Sequence, residues 1–252
     1  MVHKRSNKEI KMISKSCQIV ADTINMLTEF VLPGVLISDL DKKAEDYILS
    51  RGARPAFKGY MGFPSTLCVS IEDAVVHGIP GDIELKEGQI VGIDCGAELN
   101  GYYGDHAKTF SVGEISIEKK KLMEITEQSL YKGIEKAIPG NYVGDIGHAV
   151  QTHAESNGFS IVRELVGHGI GENLHEEPQV PNYGPPNQGY KLHSGMCIAI
   201  EPMVNLGKKD IYTAKDGWTI LTVDGKASAH FEHTIAITED GPQILSEVGY
   251  NG

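Results

Sequence analysis

Two aspartates, Asp94 and Asp105, lie inside strand-like segments on either side of Asn100-Gly101, and that placement constrains the chain more than any other feature. β-Branched residues and flanking glycines mark Gln89–Ala97 as a strand, and Asn-Gly favours a tight turn. Ile90–Cys95 and Ala107–Val112 are therefore expected to pair as antiparallel neighbours. The two carboxylates then converge within bridging distance. Like charges at that range repel, so the hairpin calls for a cation between them.

The rest of the chain supplies a scaffold for that hairpin. Ile10, Ile13, Cys17, Val20, Ile24 and Leu27 form one apolar stripe of a helix that stops at Pro33-Gly34. A second helix is expected with Ser38 as cap and Asp41 three residues on, burying Leu40, Ala44, Tyr47 and Ile48 and ending at Arg51-Gly52. Thr66–Ile71 reads as a strand. The second half repeats the plan: helical patterns over Ile117–Ala137 and Val143–Gly158, parted by Pro139-Gly140, precede strands at Ile161–Val166, Met196–Glu201, Trp218–Val223 and Ala229–Thr238. Asp216-Gly217 and Asp224-Gly225 read as hairpin turns. Pro178 to Pro186 holds four prolines in nine residues and reads as a surface loop. Two helices then strands, twice over, predict an α+β domain with two similar halves, spanning 1–252.

Composition removes several classes of function. With 252 residues, 40% hydrophobic and 23% charged, the chain is long enough and apolar enough for a sizeable core. Its 23 Lys+Arg against 34 Asp+Glu give a net charge of -11, without the broad basic field that non-specific nucleic-acid binding needs. Cys17, Cys68, Cys95 and Cys197 lie far apart with no C-x-x-C pair, which argues against a zinc finger or a disulfide scaffold and for a reducing cytoplasm. Neither a signal-peptide apolar region nor an uninterrupted apolar run of roughly 18 residues is evident, so no membrane association is expected.

Three more side chains join the aspartates. His168 stands in Gly167-His168-Gly169, Glu201 in Ile200-Glu201-Pro202, and Glu232 in Phe231-Glu232-His233-Thr234. Each alone has an ordinary explanation: a turn cap, a strand end, a satisfied loop histidine. Together, four carboxylates and one imidazole make an oxygen-rich set that suits two divalent ions sharing bridging carboxylates. Such a set selects Mn²⁺, Fe²⁺ or Co²⁺ over a thiolate-type zinc site, with Zn²⁺ also permitted.

In order and spacing these residues resemble the type I methionine aminopeptidases, in their short bacterial form. The likeness covers nearly the whole chain, including His77-Gly78-Ile79-Pro80, Gly92-Ile93-Asp94, Gly101 to Asp105, Gly167 to Gly171 with Leu174-His175-Glu176-Glu177-Pro178, Ile200 to Val204, and Glu232-His233-Thr234. It implies the pita-bread (creatinase/aminopeptidase-like) α+β fold, two pseudo-symmetric halves around a dinuclear metal site with helices outside. It also implies removal of the initiator methionine when the second residue is small. Asp94 would chelate one metal, Asp105 and Glu232 would bridge, and His168 and Glu201 would complete the other; Glu201 would also handle the proton. His77 and His175 would hydrogen-bond the scissile amide, and Tyr60, Phe63, Cys68, Leu174 and Trp218, with Phe57 at the edge, would receive the methionine side chain.

The same resemblance implies a cytoplasmic monomer acting on nascent polypeptide N-termini, with transient ribosome contact; the basic stretch Lys4, Arg5, Lys8, Lys11 and Lys15 could help there, but is expected first of all to be a solvated helix face. Two other readings are a prolidase or Xaa-Pro aminopeptidase of the same fold, and a non-catalytic binding homologue, although the latter tends to lose ligands that are all present here. Some positions depart from the family pattern. Leu174 is often aromatic in relatives, Phe57 often small, Cys95 usually aliphatic, and His230 commonly glutamine. Strand alternation should turn Cys95 away from the metals. His106, His153 and His193 are expected to be ordinary core or surface residues, and His233 a partner of Glu232.

Overall fold

The computed structural model describes residues 2–250. Helix α1 (Asn7–Leu27) starts where the sequence supplies a reciprocal cap: the Ser6 hydroxyl accepts from the Glu9 N–H, and the Glu9 carboxylate accepts from the Ser6 N–H. Its apolar stripe is buried as the spacing requires, but the helix gives way to a 3-10 turn (Thr28–Phe30) before Pro33-Gly34. Helix α2 (Ile37–Ser50) begins without a side-chain cap, contrary to the role expected of Ser38. The Ser38 hydroxyl donates to Asp82 instead, and Asp41 accepts from the Leu67 N–H, so both polar groups tie the helix to neighbouring segments. Tyr47 is only half-buried. Arg5 also differs from expectation: it is buried, while Lys4, Lys8, Lys11 and Lys15 are exposed.

Strands β1 (Arg54–Pro55), β2 (Leu67–Ile71), β3 (Ala74–Val76), β4 (Ile90–Leu99) and β5 (Tyr102–Ser111) complete the first half. The β4–β5 hairpin has its two-residue turn at Asn100-Gly101, both with positive φ (54° and 85°) as a type I′ turn requires. Helices α3 (Ile117–Ile134) and α4 (Val143–Ser156) open the second half. They are followed by β6 (Ser160–Ile161), β7 (Gly167–Gly169), β8 (Glu176–Val180), β9 (Cys197–Ile200), β10 (Met203–Asn205), β11 (Ile211–Thr213), β12 (Ile220–Thr222), β13 (Ser228–His230), β14 (Glu232–Thr238) and β15 (Gly241–Ile244).

A nine-stranded sheet in the order β1-β4-β5-β14-β9-β7-β8, with β2 on β4 and β15 on β14, runs through both halves. They meet where β5 pairs with β14 through Glu232↔Ala107 and His233↔His106. Helices α1 and α2 cover a core that includes Val20, Leu40, Ile48, Val91 and Ile93. Helices α3 and α4 cover a second that includes Leu122, Ile146, Val150, Ile198 and Ile235. A helix pair over each half of a shared antiparallel sheet is the pita-bread arrangement.

Four strand expectations need correction. Only Ser160–Ile161 of the expected Ile161–Val166 strand pairs. Pro178 lies within β8 rather than in a loop, because β8 is the last strand of the sheet, where a missing N–H breaks no ladder. The run Ala229–Thr238 divides at Phe231: β13 pairs with β10 in a small sheet, and β14 crosses into the large one. Asp224-Gly225 consequently joins strands of two different sheets and is no hairpin, whereas Asp216-Gly217 lies in the loop between paired β11 and β12.

Candidate metal centre

Strand alternation sorts the polar residues at the centre of the large sheet onto two faces. Cys68, Asp94, Ala107 and Glu232 are successive cross-strand partners, and Asp105 is two residues from Ala107, so Cys68, Asp94, Asp105 and Glu232 share one face. The adjacent row, Cys95, His106, His233 and Ile200, faces the other way. Cys95 is fully buried there in the core of the first half, as expected. His106 and His233 stack at 4.7 Å with 7° between their planes, and His106 Nδ1 donates to the Glu232 carbonyl. His233 Nδ1 bonds the Ser246 hydroxyl, so it does not serve the Glu232 carboxylate, because that side chain lies on the opposite face.

His168, on β7, and Glu201, just past β9, bring the second half to the same place. His168 Nδ1 donates to the Gly169 carbonyl at 2.9 Å, which leaves the Nε2 lone pair facing Glu201 Oε1 at 3.5 Å and Asp105 Oδ2 at 4.0 Å. A lone pair cannot bond a carboxylate oxygen. One ligand atom from each of Asp105, His168 and Glu232 lies within 4.8 Å of the others. Asp94 Oδ1 and Glu232 Oε1 are buried without a hydrogen-bond partner among the described residues. Once these carboxyls are ionised, acceptors aimed at acceptors in a dry site fit a divalent cation.

The electrostatics agree. Burial raises the Asp94 carboxyl to about 7, offset in part by a hydrogen bond with Asp105. Burial, then the neighbouring carboxylates, drives Asp105, Glu201 and Glu232 well above the ordinary carboxylate range. Burial pushes His168 down to about 3, keeping its imidazole neutral and ready to coordinate.

His77 follows β3 with a left-handed φ of 59°, a strained setting for a non-glycine residue. Gly78 allows it, since a Cβ there would lie 2.1 Å from the Val69 carbonyl oxygen. His175 Nδ1 bonds the Tyr60 hydroxyl at 2.9 Å, and its ring meets His168 edge-on at 4.4 Å. Burial lowers both His77 and His175, so both are neutral hydrogen-bonding groups near pH 7.

A single cavity of about 170 Å³ is lined by His77, Asp94, Asp105, His168, His175, Glu201 and Glu232 on its polar side. Its apolar wall is Phe57, Tyr60, Phe63, Cys68, Leu174 and Trp218, with Phe63 and Trp218 packed edge to face at 5.1 Å. Every residue expected from sequence to hold metal, act on the amide or receive the methionine side chain lines this cavity. One other was missed: Met61 joins the apolar lining. His230, noted from sequence only as a departure two residues before Glu232, is buried and places an unpartnered Nε2 3.8 Å from Glu201 Oε2. His153 and His193 lie away from this group, both half-buried, with His153 bonded to Gln128. No helix among the described residues is long and apolar enough to cross a membrane.

The model of metallopeptidase family M24 matches residues 11–239. The chain is 52% identical to methionine aminopeptidase 1 of Bacillus subtilis over 98% of its own length and 100% of that protein's. The solved methionine aminopeptidase of Thermotoga maritima superposes with a TM-score of 0.97 at 42% identity, covering 98% of this chain and 100% of that one. The prolidase of Pyrococcus horikoshii is more distant: TM-score 0.80, 26% identity, and 98% of this chain against only 64% of the prolidase.

Proposed function

The chain belongs to metallopeptidase family M24, among its methionine aminopeptidases, and we propose that the inward-facing cluster on β4, β5, β7, β9 and β14 is where its chemistry takes place. It is a metal-dependent exopeptidase that removes N-terminal methionine from nascent polypeptides and peptides when the second residue is small. Prolidase-type activity is the distant alternative, on identity and length alike. The observation that carries the site assignment is the convergence of His168 Nε2, turned towards Glu201, with the unpartnered Asp94 Oδ1 and Glu232 Oε1 in one cavity.

We assign two divalent ions to this cluster: Asp94, Asp105, His168, Glu201 and Glu232 would hold them, with Mn²⁺, Fe²⁺ or Co²⁺ preferred by the donor set and Zn²⁺ accepted. When bound, such ions polarise the scissile carbonyl and lower the pKa of the attacking water. Glu201 takes the proton from the nucleophile and passes it towards the leaving amine. His77 hydrogen-bonds the amide at its nitrogen side. His175, held by Tyr60, faces the developing oxyanion, so its bond strengthens in the transition state. A cavity of about 170 Å³ is small beside the range typical for drug-sized ligands, and its apolar wall of Phe63, Cys68, Leu174 and Trp218 suits one unbranched side chain such as methionine.

The reading includes a single catalytic domain acting as a monomer in the cytoplasm, with transient ribosome contact; the exposed Lys4, Lys8, Lys11 and Lys15 are a solvated basic face. Its test is hydrolysis of Met-Ala-Ser by purified protein loaded with Mn²⁺ or Co²⁺, compared with an Xaa-Pro peptide. Release of methionine, lost on chelation, is the expected outcome; a metal-loaded protein inert on Met-Ala-Ser would sink the reading.

A further inference from the structure

Arg5 was expected on a solvated basic face, yet its side chain is only 3% exposed. Its guanidinium grips the segment between β7 and β8. Nη2 donates to both Glu176 carboxylate oxygens, at 2.7 and 2.6 Å, and Nη1 donates to Glu172 Oε2 at 3.0 Å. Glu176 is itself 6% exposed at the side chain, so this is a buried bidentate pair rather than a surface contact. The Arg5 backbone is fixed as well, its N–H donating to the Gly195 carbonyl at 2.7 Å. Gly171 gives the guanidinium room, because a Cβ there would sit 2.5 Å from Nη2.

The gripped segment carries two cavity residues. Leu174 and His175 immediately precede Glu176, and His175 faces the cavity while Glu176 faces Arg5. Local bonds reinforce the same anchor: Glu176 Oε1 also accepts from the Asn173 N–H at 3.0 Å, and the Gly171 carbonyl accepts from the Tyr103 N–H at 2.8 Å. Without Arg5, Glu172 and Glu176 would lose the cation that lies between them, and a buried carboxylate left unpaired would pull the segment towards water.

We propose that Arg5 is a positioning residue for the reaction, a clamp that acts through Glu176 to hold His175 against the scissile amide. The inference rests on the role given above to His175. It assigns a catalytic consequence to the N-terminal segment.

The test compares the full-length parent with Arg5→Ala, Arg5→Lys and Glu176→Gln in three readouts: kcat and KM on Met-Ala-Ser with Mn²⁺, Mn²⁺ affinity by calorimetry, and the His175 imidazole ¹⁵N signal in the metal-free protein. A displacement of about 1 Å at a catalytic group costs roughly 100-fold in rate, so Arg5→Ala should lower kcat about 10- to 100-fold, with KM and Mn²⁺ affinity little changed and the His175 signal shifted. Added guanidinium ion should restore most of that loss, and Arg5→Lys, a point charge without the fork, should fall between. Glu176→Gln keeps the shape of the segment and weakens the same pair, so it should move kcat in the same direction even if Arg5→Ala does not fold. Parental kcat with an unshifted His175 signal in the variants overturns the clamp, as does a loss that guanidinium leaves unrestored and that tracks lost metal. A parent inert on Met-Ala-Ser would count against the function, and the His175 signal would still decide the clamp.

Discussion

His168 Nε2 points its lone pair at Glu201 Oε1 across 3.5 Å, while its other ring nitrogen is committed to the Gly169 carbonyl. The backbone bond fixes the tautomer, so Nε2 can only accept, from a protonated Glu201 in the metal-free protein or from a cation once Glu201 is ionised. With Glu201 ionised, a positive centre between the two is what reconciles them. His168→Ala should therefore weaken Mn²⁺ binding by more than about 100-fold, since losing even an outer hydrogen-bond partner of a ligand costs 10- to 100-fold. Calorimetry of metal binding, with circular dichroism to show the fold is retained, checks it; unchanged affinity would remove His168 from the centre.

Metal binding should be strongly pH-dependent, with a sign the carboxyls set. In the metal-free protein Asp94 titrates near 7, above the unfolded value of about 3.9, because it is buried. A raised acid stabilises the fold below its unfolded pKa and loses that contribution as pH rises through about 7. His168 and His230, held down to about 3 by burial, act oppositely: they favour the fold above their unfolded pKa and lose that contribution as pH falls. Cations replace the protons on the carboxyls, so the gain in Tm on adding Mn²⁺ should be small near pH 5 and grow through pH 7. Calorimetry in buffers of different ionisation enthalpy should show protons released at pH 6 and fewer at pH 8. A pH-independent Tm gain would contradict protonated carboxyls in the metal-free site.

His77 and His175 should separate chemistry from metal binding. Neither supplies an atom to the cluster of Asp105, His168 and Glu232, and both are neutral because burial lowers their pKa values. Replacing either with alanine should lower kcat by about 100- to 1,000-fold, the usual loss for a donor at a developing charge, and leave Mn²⁺ affinity near parental. Steady-state kinetics beside calorimetry reads both quantities. A matching loss of metal would make them structural supports of the ligands instead.

What the sequence disclosed and what it hid divide by range. The Asp94–Asp105 hairpin is readable because Asn100-Gly101 sets a local register, and period-two alternation then assigns each residue to a face. The same alternation places Cys95 in the core. It also excludes His233 from the Glu232 carboxylate, a step the sequence argument did not take. The break at Phe231 and the strand position of Pro178 depend on which sheet each segment joins, a matter of long-range pairing. Arg5 was hidden most completely: its partners are more than 160 residues away, and a lysine-rich neighbourhood looks solvated until the fold brings Glu172 and Glu176 onto it.

The cavity proposed to receive the methionine side chain tests whether Leu174 and Phe57 compensate each other in size. Leu174 is 1% exposed and Phe57 8%, and both belong to one apolar cluster and line the same cavity of about 170 Å³. Phe57 lies so close over β4 that a Cβ on Gly96 would be 2.6 Å from its ring. A large residue at one wall beside a smaller one at the other keeps the volume that a methionine side chain needs. Leu174→Phe alone should overfill the cavity, a change that costs about 1–3 kcal/mol and so raises KM for Met-Ala-Ser roughly 5- to 150-fold. Phe57→Ala alone should loosen the pocket and also raise KM. Combined, the two should recover much of the loss, giving a coupling of about 0.5–3 kcal/mol in kcat/KM across the four proteins. Strict additivity would show that the two walls act independently and that the pair is no compensation.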